Sequence, residues 1–447
     1  MKRLIEGVRI WDGADRLIED GAILIDGDTI ETVLTREALS SYELPPSVER
    51  IDGSSKLAIP GLINAHTHLY SSLARGMALP GYSPQTFTQI LEQLWWKLDK
   101  ALDAEMVRVS ALVGAMEAAR CGVTTLIDHH ASPHAIPGSL TSLRQAVCEK
   151  VGLRGAFCYE VSDRDGAKIS DQGITENLDF LTTKDSQDSL HTGLFGLHAS
   201  FTLCDDTLEK VARNLPNDAG VHIHVAEGPE DETQCVAEHG LRIVERLEGF
   251  GLLRPTSVLA HCLHLDEVEK DLVAEREAMV VHNPRSNMNN AVGTFDLDGF
   301  LNRGVLVGLG TDGLGANMLS ELFTAALLQK ASSRDPLVAP FSALNRLLFR
   351  NNPLVAERLF GIKLGRIAPG YPADIALLDY RPPTPLSAET ILGHLLFGIS
   401  VHSLRISDLF VNGRPILRDG RFLDLDEEGI YSHAREAAKR LWGRAAS

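Results

Sequence analysis

No stretch of 18 apolar residues occurs in the chain, which excludes an ordinary membrane-spanning helix. Cysteine is scarce: six in 447 residues, none in a Cys-x-x-Cys pair, suit a reducing cytoplasm better than a disulfide framework. Lysine and arginine form no block long enough to neutralise a run of phosphates, and with a formal charge of -17 this argues against a nucleic-acid partner. The start "MKRLIEGVRIWDG" meets Glu6 and Arg9 before an apolar region can build, so no signal peptide is expected. No disordered tail is visible either, because 44% of residues are hydrophobic and Pro and Gly are dispersed. A chain of this length can bury one large catalytic core beside a smaller companion.

What is present divides in three. Residues 1–58 read as short strands, "VRIWDG", "GAILIDGDTIETVL" and "SSKLAIP", with Asp-Gly turns at Asp12, Asp26 and Asp52, an antiparallel pattern. Residues 59–365 alternate apolar runs with amphipathic segments. The runs are "GLINAHTH", "VTTLID", "LRGAFCYEV", "LFGLHA", "VHIHVAE", "SVLAHC", "AMVVHN" and "VLVGLGTD". Eight such units predict an α/β fold, a (β/α)8 TIM-like barrel with insertions. Residues 366–447 return to strands, "PGYPADIALLDY" and "ISDLFVNGRPIL", before an amphipathic helix near "SHAREAAKRLWGR". The two chain ends are expected to form one small β domain.

In such a barrel the carboxyl ends of the strands gather around one mouth. His66 and His68 close the first run on alternate positions, so both face one side and can chelate one ion. His224, His261 and Asp312 close three further runs. A lone His-x-His often marks only hydrogen-bonded strand caps. His222 forms a second such pair with His224, and His224 is read as the ligand because it lies nearer the strand end, with His222 packed beside it. Asp312 could cap the next helix, but in this company it reads as a ligand carboxylate. Zinc or ferrous iron accepts this mixture of imidazole and carboxylate and leaves a position for water. Binding lowers the water's pKa from about 15.7 to about 7. The hydroxide then needs a proton carrier. Glu227, three residues past His224, is placed to be one, the alternative being an exposed loop glutamate.

Substrate contacts are sketched more coarsely. His129 and His130 end "VTTLIDHH", so at least one is expected at the mouth. Trp95 and Trp96 sit at helical spacing, one expected in the core and the other, taken to be Trp95, stacking on a flat heterocycle. Tyr70 and Arg75 follow the metal pair, and Arg285 and Asn287 lie after the seventh run, with solvent contact and helix capping as their alternatives.

These residues, with the tail motif "GRIAPGYPADIALLD", resemble the amidohydrolase superfamily, on the branch of guanine, cytosine, S-adenosylhomocysteine and triazine aminohydrolases. The stretches "LWWKLDKALDAE", "IDHHASP", "HNPRSNMNNAVG" and "LGTDGLGANM" are similar to SsnA-type aminohydrolases, associated with purine catabolism. The resemblance implies a β-sandwich built from both chain ends and a single Zn2+ or Fe2+ held by His66, His68, His224 and Asp312. It implies His261 to orient the water, Glu227 to shuttle protons with Asp312 as partner base, and His198 to contact substrate. The branch's proline two positions after His198 is Ser200 here. Two-metal relatives carry a carboxylated lysine on the fourth strand, whereas "LFGLHASF" has none and Lys184 and Lys210 fall outside it, so one metal is expected. The implied activity is hydrolytic deamination of a purine-like or related N-heterocycle in a cytoplasmic enzyme. Ring opening of a cyclic amide or ureide, or chlorohydrolysis, are the alternatives. Relatives are often homodimers, but no heptad repeat or long apolar run points to an interface.

Overall fold

Period-2 apolar patterning carries both chain ends into one sheet. In this computed structural model, which describes residues 1–182, 190–402 and 406–446, nine strands from the two ends hydrogen-bond side by side. The N-terminal contributors are Lys2–Trp11, Leu17–Asp26, Thr29–Thr35, Glu49–Asp52 and Lys56–Pro60. Ile375–Asp379 joins the C-terminal strands to them by pairing antiparallel with Lys56–Pro60. Ile5, Ile23, Ile25, Ile375, Leu377 and Phe410 are fully buried and pack into one cluster. The antiparallel expectation fails at Lys2–Trp11, which pairs in parallel with both Glu49–Asp52 and Lys56–Pro60. Thr29–Thr35 runs in the same direction as Lys2–Trp11, so the segment through the helix Arg36–Ser40 returns the chain before the next strand starts.

All eight predicted central runs contain strands, and they lie in two parallel sheets. Leu62–Thr67, Val123–His130, Arg154–Tyr159 and a short unpredicted strand, His191–Gly193, make the first. Phe195–Ala199, Val221–Val225, Val258–His261, Met279–His282 and Val307–Leu309 make the second. Single bridges, Thr67 to Asp312 and Val161 to Leu197, connect the sheets at their two seams. Almost every residue of these strands is buried, as expected where both faces are covered. At the first seam the backbones run so close that a Cβ on Gly310 would stand 2.8 Å from the His66 carbonyl oxygen and 2.5 Å from Asn283 Oδ1.

Capped helices cover the sheets. Asp103 accepts from Met106 N to start Ala104–Arg120, and Asp266 accepts from Glu269 N to start Glu267–Glu275. The last helix, Glu427–Ala445, buries Ala437 and Leu441 on the central body, where Trp442 Nε1 donates to the Leu73 carbonyl at 2.7 Å. No helix among the described residues is long and apolar enough to cross a membrane. Lys184 lies outside the described residues.

Candidate active site

Strand ends from both sheets deliver imidazoles and carboxylates to one point. The alternation of Leu62–Thr67 sends His66 and, just beyond it, His68 to the same side, and the Nε2 atoms of His68 and His224 approach to 3.2 Å. Asp312 Oδ1 lies 2.9 Å from His68 Nε2 and 3.6 Å from His66 Nε2. Ligand atoms of His66, His224, His261 and Asp312 all fall within 4.8 Å of one another. His261 therefore stands among the donors instead of simply beside them. His261 and Asp312 hold left-handed backbone, φ 74° and 52°, a strained conformation for non-glycine residues that places both side chains at the strand ends.

The other ring nitrogens fix how each imidazole points. His68 Nδ1 donates to the His129 carbonyl at 2.6 Å, His224 Nδ1 to the His198 carbonyl at 2.9 Å, and His261 Nδ1 to Asn287 Oδ1 at 2.8 Å. Each such bond puts the proton on Nδ1 and leaves the Nε2 lone pair facing inward, the arrangement metal-ligating histidines use. His222 lies one layer deeper and meets His66 Nδ1 through its Nε2 at 2.8 Å. Nε2 of His66 and of His261 are buried and have no hydrogen-bond partner. Orphaned, inward-facing imidazole nitrogens beside a carboxylate suit a borderline divalent ion. Burial pushes His66 down to about 3 and His224 well below the usual histidine range, keeping both in the neutral form that ligates. Burial opposes ionisation of Asp312 as well, yet the imidazoles of His66 and His68 beside it hold it well below the ordinary carboxylate range, and Asp312 in turn raises His68 to about 9 against the effect of burial.

Glu227 sits beside this group with Oε2 3.4 Å from His261 Nε2, while Asn290 donates to its Oε1 at 3.0 Å. Burial pushes its pKa up, which favours a carboxyl able to hold a proton. Ser286 Oγ donates to Asp312 Oδ2.

A cavity opens from Glu227, His68, His224 and Asp312, and among the predicted substrate contacts Tyr70, Trp95 and His198 line it. His198 is held by a 2.7 Å hydrogen bond to Thr202, and the turn at Ser200 is tied down by Arg246, which donates to the Ser200 carbonyl and hydroxyl. Five other predicted contacts do not reach the cavity. His129 and His130 belong to the strand itself, which runs to His130; His130 Nε2 meets Ser132, and His129 Nε2 donates to the Leu197 and His222 carbonyls while its Nδ1 stands within 4.8 Å of donor atoms of His68, Glu160 and His224, a second group that could hold an ion. Arg75 forms a two-pronged pair with Glu117 on an exposed face, and Arg285 pairs with Glu321. Asn287 touches His261 and not the cavity. Both tryptophans line the space, so neither is withdrawn wholly into the core. Asp99, Glu160 and Arg164, absent from the predicted set, line it too. Glu160, next to last in "LRGAFCYEV", directly follows the carboxyl end of the strand Arg154–Tyr159, the same signal that drew attention to the histidines.

Known proteins match this arrangement along the whole chain. The family model described as "Amidohydrolase family" matches residues 57–416. A 5-methylthioadenosine/S-adenosylhomocysteine deaminase from Pelotomaculum thermopropionicum is 30% identical over 99% of both chains. A 5'-deoxyadenosine deaminase from Methanopyrus kandleri is 33% identical over 96% of each. Among solved structures, an adenosine deaminase from Xanthomonas campestris with bound zinc superposes with TM-score 0.84 at 26% identity, covering 98% of both chains. With a family model spanning most of its length and relatives matched end to end, the chain belongs to the amidohydrolase family.

Proposed function

We propose that this chain is a metal-dependent aminohydrolase that replaces an exocyclic amino group of a purine-like or related N-heterocycle with a hydroxyl group and releases ammonia. The observation that carries this reading is the convergence of inward-facing imidazole nitrogens and Asp312 on one point, with a buried glutamate alongside. The deaminases among its relatives support it.

His66, His68, His224 and Asp312 would hold one Zn2+ or Fe2+. Such an ion supplies a Lewis acid that brings the pKa of water to near 7. His261, its ring fixed by Asn287, faces both carboxylates and orients the reacting water. Asp312 is the base that receives the water's proton. Glu227, held by Asn290 and raised by burial, delivers its proton to the ring nitrogen, takes up the proton of the added hydroxyl and passes it to the departing amine, and the proton on Asp312 then restores it. Tyr70, Trp95 and His198 position the ring.

The same reading takes residues 59–365 as a (β/α)8 barrel continued across the two single bridges, and residues 1–58 and 366–447 as a composite β-sandwich with the terminal helix. It takes the enzyme to be a cytoplasmic homodimer serving purine catabolism; light scattering on the purified protein tests the dimer. Activity is tested by ammonia release from metal-loaded enzyme across aminopurines, aminopyrimidines, pterins and triazines, with mass spectrometry of each product. Exchange of NH2 for OH is expected. Addition of one water without ammonia release would put ring opening in its place, and chloride release from a chlorotriazine would put chlorohydrolysis there.

A further inference from the structure

Next to the metal-binding group, the cavity has a second polar pole that the proposed chemistry leaves unused, joined to that group through Glu160, whose ligand atom lies within 4.8 Å of those of His68, His129 and His224. Arg164 Nη2 donates to Glu160 Oε1 at 3.1 Å and to Asp99 Oδ2 at 3.4 Å, and its Nε donates to Ser162 Oγ at 2.9 Å. The guanidinium carbon lies 5.0 Å from the ring centroid of Trp96. Three partners and a ring thus fix the plane of the fork, so it is preorganised for a ligand of one shape. Yet Arg164 Nη1, Asp99 Oδ1 and Trp96 Nε1 are all buried without a hydrogen-bond partner. One such atom is costly in a folded protein. Three on residues that line the same cavity mark a surface completed by something that enters it.

Charge narrows what that is. Glu160 and Asp99 bring two carboxyls against one guanidinium, and burial already raises Asp99 to about 7, so a further ionised carboxylate would have to compete with both for a single fixed positive charge. The unused atoms are two N–H donors and one carboxylate oxygen. They match a ring carbonyl next to a ring N–H.

We propose that Arg164, with Asp99 and Trp96, selects the substrate by taking the lactam edge of a neutral flat heterocycle, the carbonyl on Arg164 Nη1 and the ring N–H on Asp99 Oδ1. The same wall turns away molecules that carry an ionised carboxylate. This rests on the aminohydrolase reading, which supplies the reacting amine at the opposite edge of the ring.

Binding of rings that cannot react separates the two claims. Metal-loaded wild type, Arg164→Gln and Arg164→Lys, matched in metal content and circular dichroism, are titrated calorimetrically with uracil and hypoxanthine. The controls are pyrimidine and purine, which lack the lactam, and orotate, which adds a carboxylate to uracil. Wild type is expected to bind the lactams at least about tenfold more tightly than the controls. Both variants are expected to lose that preference, since lysine carries the charge without the planar fork. Equal binding of purine and hypoxanthine by wild type, tighter binding of orotate than uracil, an undiminished preference in Arg164→Gln, or no binding of any lactam would overturn the proposal. A lactam preference with no ammonia released from any aminoheterocycle would instead sink the aminohydrolase reading, and ammonia release without a lactam preference would sink only this one.

Discussion

At the scale of single residues, Glu227 and Asn287 separate proton transfer from orientation. Glu227→Gln keeps the shape and the bond partner Asn290 but cannot carry a proton, so turnover should fall about 10²- to 10⁴-fold while elemental analysis finds the metal unchanged. Unchanged turnover would remove Glu227 from the chemistry. Asn287→Ala frees the ring of His261, and a fall of about 10- to 100-fold in activity is expected. Loss of metal in that variant would make His261 a ligand. The residues that converge here were legible because strand-end position and alternation are local properties. The failures were non-local: Arg75 is captured by a glutamate 42 positions away, and no pattern near Arg75 announces it. His130 lies in the packed layer because its strand extends two residues past the apolar run "VTTLID", whereas His129 Nδ1 stands with donor atoms of His68, Glu160 and His224 at the site, where one of the two was expected.

At the scale of elements, the eight apolar runs were readable because strands buried on both faces are written as nearly continuous aliphatic sequence. The loops between them were not. Asp99 comes from the long excursion after the first strand and Arg164 from the turn after the third, and only folding brings them to 3.4 Å. Packing between elements makes a pH prediction. Glu321, in the helix Met318–Ser333, is buried, and burial raises its carboxyl from 4.5 to about 8 despite Arg285 beside it. A carboxyl raised on folding contributes stability that is complete below its unfolded pKa and lost as pH rises through its folded one. Stability should therefore fall across the window from 4.5 to about 8, and Glu321→Gln, which cannot ionise, should flatten that fall in melting scans. An identical pH slope in the two proteins would mean that Glu321 is already ionised at neutral pH.

At the scale of the whole molecule, the proposed ion does structural work as well as chemistry. His66 and His68 come from the four-stranded sheet, His224 from the five-stranded one, and Asp312 from the seam where a single bridge joins them. A ligand that binds only the folded state stabilises it by about 2.7 kcal/mol at a hundred times its dissociation constant. Removing the ion should loosen this seam in particular, because no continuous ladder joins it: Thr311 N and Asp312 N both donate to the His66 carbonyl at 3.0 Å, and the side chains of Asn64, Thr67 and Asn352 supply further bonds across it. The melting temperature of chelator-treated protein should drop by several degrees and return on adding Zn2+ or Fe2+, with the larger recovery identifying the preferred ion. His66→Ala should melt near the stripped wild type and respond weakly to either metal. If stripped and loaded wild type melted together, the ion would bind the unfolded chain as well as the folded one, or not at this seam, and the ligand set drawn from both sheets would have to be given up.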